Sequence, residues 1–300
     1  MVTLEKNDFD LKEKSRNWWS RHSQDYVDTG ETPYLGVDTD MNDDDFLNYL
    51  EGVDRNFDHD AYFAHVRDEP MFSRLMPIDW LPGKKVLEVG CGLGTHSEIL
   101  CRAGAVLAAV DLSPTSVEVT RRRLSLKGFH AEVSEADAER LPFESQSFDY
   151  VWSWGVIHHS PDTIVCAKEI SRILKPGGRL GIMIYNKNSM FNWINVILGY
   201  GVFRGKLLAM GVQELRNRYT DWKEVGGAPL VKYFTRKIIR TQLFPELEIV
   251  HQTAFEQKKA VSFFLPIRWR RNFERMIPDG LYTWTWSRLG FLIFTEGRKP

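Results

Sequence analysis

Two groups of residues in this 300-residue chain have types and spacings that could do chemistry. The first is Val86-Leu87-Glu88-Val89-Gly90-Cys91-Gly92-Leu93-Gly94-Thr95, with Asp111 closing the next apolar run. The second is the adjacent pair His158 and His159. Glycine permits positive φ and close backbone approach, so Gly90, Gly92 and Gly94 after an apolar run read as a turn that supports a ligand. Asp111, at the edge of its run, is an acceptor for both hydroxyls of a ribose. A helix cap is the competing role, and Ser113 before Pro114 suits that role better.

Spacing narrows the ligand. The loop lacks the Gly-x-x-x-x-Gly-Lys-Ser/Thr pattern of a phosphate loop, and Gly-Cys-Gly-Leu-Gly is not the Gly-x-Gly-x-x-Gly of a dinucleotide site. Glu88 would repel a pyrophosphate but can accept hydrogen bonds from a cationic amino group. Further along, Asp137 lies just before Leu141-Pro142-Phe143, where a carboxylate beside an apolar wall suits the amine and ring of an adenine. Unperturbed imidazole titrates near pH 6.5, which makes His158 and His159 the candidate general bases. Asp162 is close to them in sequence, but no His-Glu-x-x-His arrangement and no third clustered ligand accompanies them, so no metal is expected.

These residues need a scaffold that brings strand ends together. Apolar strand candidates fall at 85–89, 105–110, 131–134, 148–153 and 179–184, alternating with helical segments at 95–103, 114–127 and 163–174. That alternation predicts βαβ units and a mostly parallel sheet. Gly104, Gly128 and Pro176-Gly177-Gly178 stand where the helices should stop. Residues 1–80 read as a mostly helical N-terminal cap, with a helix starting near Asp43 or Asp44 and more helix from about Asp60 to Met76. The catalytic domain would fill 81–300, with a helical insertion at 189–242 and an aromatic and basic insertion at 255–288. Strands near 247–250 and 290–295 would complete the sheet.

In this order the blocks Val86 to Gly94, Val110-Asp111-Leu112-Ser113, Ala136-Asp137-Ala138-Glu139-Arg140-Leu141-Pro142-Phe143, Phe148-Asp149 and Leu174-Lys175-Pro176-Gly177-Gly178 resemble the class I S-adenosylmethionine-dependent methyltransferases, in their UbiE-like small-molecule branch. The likeness covers about residues 82–186. It implies a Rossmann-like α/β fold with seven strands, the last one antiparallel, and helical cap elements. It also implies S-adenosyl-L-methionine as cofactor and S-adenosyl-L-homocysteine as product. Glu88, Gly90, Cys91, Gly92 and Gly94 would then lie beside the methionyl part, Asp111 and Leu112 at the ribose, and Asp137 and Ala138 at the adenine. Trp154 would cover the cofactor's aliphatic portion, and His158 and His159 would border cofactor and substrate.

The implied reaction is methyl transfer to an O, N or C atom of a partly apolar metabolite or natural product. Alternatives are a noncatalytic or regulatory cofactor-binding protein, and an enzyme of this fold catalysing a different reaction. Acceptor recognition falls to aromatic and polar residues outside the core: Trp18, Trp19, Tyr26 and Tyr34 ahead of it, then Tyr185, Asn186 and Trp193 after the fifth strand.

Composition limits the partners. A formal net charge of −1, from 39 basic and 40 acidic residues, gives no overall field to attract nucleic acid. The basic and aromatic cluster Arg268, Trp269, Arg270, Arg271 and Arg275 is a local exception; a solvated helix face is its leading reading, and contact with RNA, an acidic small molecule or a lipid surface are the others. Three cysteines are too few for a disulfide framework. The opening residues lack the apolar core of a signal peptide, and Trp193 to Phe203 is too short to span a bilayer, so a cytoplasmic setting is expected. The sequence leaves room for a homodimer.

Overall fold

The computed structural model describes residues 2–22, 37–60, 64, 69–221, 226–256, 276 and 279–300. The predicted alternation is present. Strand β1 (Lys85–Val89) leads to helix α3 (Thr95–Arg102), β2 (Val106–Asp111) to α4 (Pro114–Leu126), and β4 (Phe148–Trp154) to α5 (Thr163–Ile173). Strands β3 (Glu132–Glu135), β5 (Leu174–Tyr185), β6 (Glu248–Phe255) and β7 (Leu292–Arg298) complete one sheet of order β3-β2-β1-β4-β5-β7-β6. Among the described strands β7 is the one reversed in direction, pairing antiparallel with β5 on one side and β6 on the other. Strand β5 begins five residues before the predicted 179, so Pro176-Gly177-Gly178 lies within it and the helix stop falls earlier, at Ile173.

Strand alternation divides the core into two layers. Val86, Tyr150, Trp152, Trp154 and Phe294 face one way, against Leu100 of α3 and Leu124 of α4. Leu87, Val89, Val151, Ile182 and Ile293 face the other, against Cys166, Ala167 and Ile170 of α5. Helix starts follow their cap chemistry. Ser113 Oγ accepts from Ser116 N–H with Pro114 at the first helical position, and Asp162 accepts from the N–H groups of Ile164 and Val165.

Among the described residues, two α-helices precede the sheet. Helix α2 (Asp43–Asp60) opens on three acidic residues, which suit the positive end of its dipole, and buries Phe46, Leu50 and Val53 against Leu93 and Val119. It is tied down by Arg123, 1 % exposed, which donates to Glu98, to Asp54 of α2 and to the Leu93 carbonyl. Helix α1 (Val2–Arg21) reaches the sheet through Arg16 Nε on Glu135 Oε1 (2.9 Å) and Ser20 Oγ on Ser113 Oγ (3.1 Å). After β5 comes a π-helical segment (Phe191–Phe203), then α6 (Val212–Tyr219) and α7 (Arg236–Ile238); α8 (Asp279–Leu289) leads into β7. Much of the predicted helix from Asp60 to Met76 lies outside the described residues, and 71–76 is built of turns.

Candidate functional site

Strand order reverses between β1 and β4, so their following loops diverge and leave a crevice at the carboxyl ends of the sheet. A cavity lies there. Its floor is Val89, Gly90 and Gly92 after β1, and Val110, Asp111 and Leu112 at the end of β2. Ala136, Asp137 and Ala138 close one side, and Gly155, Val156, Ile157, His159, Ser160 and Pro161 the other. Lys12, Ser15 and Trp19, spaced along one face of α1, form the roof.

The turn after β1 depends on glycine. Gly90 has φ +84°, and a Cβ placed there would sit 2.1 Å from a Val156 methyl. Its N–H donates to the Val110 carbonyl at 2.7 Å, which locks the loop to β2. Asp111 accepts the Gly92 N–H on Oδ2 (3.0 Å) and the Ser113 N–H on Oδ1 (2.9 Å), so its oxygens are aimed and still have lone pairs for donors in the cavity. Burial pushes its carboxyl up to about 6; the two N–H bonds oppose that rise, and the charge of Glu88 adds to it. A half-buried, pre-oriented carboxylate beside a glycine-floored crevice fits a ribose with its hydroxyls. Asp137, across the cavity, accepts the Glu139 N–H at 2.9 Å and an ion pair from Lys12 at 2.7 Å. Lys12 also meets Glu139, and although burial works against its charge, these two partners hold its pKa above the ordinary lysine value.

The histidines divide. His159 lines the cavity, packs edge-on against Trp19 at 4.9 Å, and has Nδ1 2.7 Å from the Leu230 carbonyl. A carbonyl only accepts, so Nδ1 carries the proton and the neutral ring keeps its lone pair on Nε2. Nε2 lies 4.0 Å from Asp221 Oδ2, and the other oxygen of Asp221 accepts the Tyr185 hydroxyl at 2.8 Å. Burial holds the His159 pKa below the usual histidine value, against the pull of Asp221 and the Leu230 bond; burial also raises that of Asp221. His158 is fully buried behind it, its ring 4.2 Å from His159 and 4.0 Å from Tyr185, with neither ring nitrogen hydrogen-bonded among the described residues. Burial, then the neighbouring His159, hold its pKa well below the usual value.

The other predicted residues are scattered around this cavity. Gly90, Gly92, Asp111, Leu112, Asp137, Ala138, His159 and Trp19 converge on it. Glu88 alternates with Leu87 and Val89, so it points to the opposite layer, where Oε2 accepts the Ser97 hydroxyl and Oε1 lies 3.6 Å from His96 Nδ1. Trp154 shares that layer and stacks on Trp152 at 5.6 Å. Cys91 is buried beneath the loop, and Gly94 (φ +79°) forms the α3 start against Thr120 and Arg123. Trp18 packs beside Trp19 and on the cluster of Ala228, Val231 and Tyr233. Asn186 donates to the Gly290 carbonyl and accepts the Asn188 N–H, a loop-fixing role. Trp193 faces solvent at 50 % exposure. Tyr26, Tyr34 and the cluster from Arg268 to Arg275 lie outside the described residues. No three His, Cys, Asp or Glu side chains converge as a metal would require among the described residues.

Among the site residues that escaped the sequence reading are Lys12 and Asp221. Lys12 had a signal, since Lys12, Ser15 and Trp19 recur at helical spacing. Asp221 had none, because it meets His159 only through the fold.

Residues 87–182 match the family model described as a methyltransferase domain. The chain is 39 % identical over 117 residues to Methyltransferase GfsG of Streptomyces halstedii, covering 38 % of this chain and 41 % of that protein. It is 30 % identical over 156 residues to the ubiquinone biosynthesis O-methyltransferase of Coxiella burnetii, covering 50 % and 66 %. The chain thus spans between about two fifths and two thirds of the length of these curated relatives. The fold matches a Haloferax volcanii chain solved with the Trm112 methyltransferase activator, with TM-score 0.54, 20 % identity, and 86 % and 97 % of the two chains covered. It also matches the [4+2]-cyclase SpnF, with TM-score 0.50, 16 % identity, and 97 % and 93 % covered.

Proposed function

We propose that this chain, which has the class I S-adenosylmethionine-dependent methyltransferase fold and is related at moderate identity to O-methyltransferases, methylates a small, partly apolar metabolite at an O, N or C atom. The observation that carries this reading is one cavity holding both the Gly90–Asp111 cradle and the Nε2 edge of His159. When bound, S-adenosyl-L-methionine supplies a sulfonium-activated methyl group, so the protein needs no nucleophile of its own. Gly90 and Gly92 would cradle its amino-acid portion, Asp111 its ribose hydroxyls, and Asp137 with the Ala138 backbone its adenine. Residues 1–80 act as a cap, with α1 excluding water through Trp19.

His159 is the candidate general base. Neutral at physiological pH because it is buried, it can take a proton from a phenol, alcohol or carbon acid on Nε2. The imidazolium so formed faces Asp221, whose carboxylate is fixed by the Tyr185 hydroxyl. His158 packs behind this ring, so His159 is preferred of the two.

The test is incubation of the protein with methyl-labelled S-adenosylmethionine and a panel of phenols, alcohols, amines and carbon acids, read by mass spectrometry. Protein-dependent gain of the label with release of S-adenosylhomocysteine supports the reading. His159→Ala should slow acceptors that must lose a proton by about 10²–10⁴-fold. Cofactor binding with no labelled product across all four classes would instead support a noncatalytic role.

A further inference from the structure

We propose that the π-helical segment Phe191–Phe203 and the turn after it dock on an anionic lipid surface. The segment contains no charged residue, yet its apolar side chains are divided between core and solvent. Asn192, Val196 and Gly201 are buried. Trp193, Ile194, Leu198, Val202 and Phe203 are exposed, and the spacings 194-198-202 and 193-198-203 follow the wide turn of an i→i+5 helix, which puts all five on one face. Beyond Gly205, the short turn Lys206–Leu208 adds the exposed Leu208. Phe203 and Leu208 are 83 % and 94 % exposed, so both stand almost clear of their neighbours. A contiguous apolar patch of this kind on a water-exposed surface marks an interaction site.

The charges around it select the partner. Between positions 187 and 219 the chain carries Lys187, Arg204, Lys206, Arg216 and Arg218 against a single acid, Glu214, in a protein whose net charge is −1. Lys187, Arg204, Lys206 and Arg218 are exposed. A second copy docked through the same patch would bring these cations face to face, because a twofold interface pairs a surface with itself. An anionic bilayer offers the opposite charge and needs no complementary shape. Large apolar side chains with a tryptophan on one face and a basic margin are the pattern of a helix lying in the headgroup region. The segment is too short to cross, and no helix among the described residues is long and apolar enough to do so.

The base of the segment touches the candidate site. The Phe191 ring lies 4.7 Å from Phe291, which lies 4.2 Å from Tyr185, and Arg216 of α6 donates to Asn192 at 3.1 Å. Docking there would set the aromatic wall beside Asp221 and His159 next to the lipid surface, where an apolar acceptor concentrates.

The experiment is flotation of the full-length protein with vesicles of phosphatidylcholine, with and without phosphatidylglycerol, at low and high salt, with no cofactor or acceptor present. Its outcome is therefore independent of whether methyl transfer is ever found. Binding confined to the phosphatidylglycerol vesicles and weakened by salt is expected. Phe203→Ser combined with Leu208→Ser should weaken it by at least about a hundredfold. Arg204→Ala with Lys206→Ala should weaken it by roughly 25-fold. Circular dichroism on each variant checks that the fold is kept. No binding to anionic vesicles, or undiminished binding by the Phe203 and Leu208 variant, overturns the proposal. Equal binding to both vesicle types overturns its charge argument. A dimer in size-exclusion chromatography that this variant turns into monomer, with no vesicle binding, would assign the face to a second copy and overturn it as well.

Discussion

At the scale of single residues, the site is a set of buried and half-buried groups whose charges are restrained by their surroundings. Asp111 is poised between burial, which raises its pKa to about 6, and two backbone N–H donors that hold its oxygens in place. Asp111→Ala should weaken S-adenosylmethionine binding by about 1–3 kcal/mol in calorimetry, since ribose hydroxyls would lose a half-buried acceptor. In the parent, affinity should also fall as pH drops below about 6, where a protonated carboxyl has fewer acceptor sites. Asp221→Asn removes the charge facing the His159 imidazolium. It should lower the His159 pKa further, moving the acid limb of the methyl-transfer pH profile to lower pH and reducing the plateau roughly tenfold or more. His158 acts through folding. Its native pKa lies well below 6.5, so the unfolded chain binds more protons as pH falls and stability is lost below that value. The parent should lose up to about 1.4 kcal/mol for each pH unit below 6.5 that His158→Leu does not lose, measured by urea unfolding from pH 7 to 5.

At the scale of elements, helices α2, α3 and α4 depend on one another through Arg123. Its guanidinium is buried among Asp54, Glu98 and the Leu93 carbonyl, directly behind the turn that ends in Gly94. Arg123→Ala should destabilise the fold by about 3–5 kcal/mol in urea unfolding, because it strands two partly buried carboxylates. Several element boundaries were readable because cap chemistry is local: Ser113-Pro114 starts α4 and Asp162 starts α5 as their side chains dictate. The length of β5 was not readable. Proline and two glycines argue for a break, yet Lys175, Gly177 and Gly178 find partners from neighbouring chain, including the Lys299 carbonyl for the Gly177 N–H. Helix α1 is placed by polar contacts from Lys12, Arg16 and Ser20 to Asp137, Glu135 and Ser113, and by Trp18 and Trp19, which pack respectively on the cluster of Ala228, Val231 and Tyr233 and on His159.

At the scale of the whole molecule, the cavity exists only where four strand ends and α1 meet, so a ligand seated there should bind the folded state alone. S-adenosylmethionine at a hundred times its dissociation constant should therefore stabilise the protein by about 2.7 kcal/mol, seen as a rise in the thermal midpoint that Asp111→Ala reduces at the same ligand concentration. The sequence by itself determined the βαβ order, the glycine turn, Asp111 at the second strand's edge and the Asp137 loop. All of these depend on residues near in the chain, where backbone freedom and strand period dictate the outcome. A period of two sets Glu88 on the opposite side of its strand from Leu87 and Val89, but which side meets the cavity was decided by the tertiary packing. Tertiary structure alone decided which histidine meets the cavity, that Lys12 and Trp19 roof it, and that Asp221 stands 4.0 Å from His159. Those facts join segments separated by scores of residues, and only packing of the helices onto the sheet, which no local pattern encodes, brings them into contact.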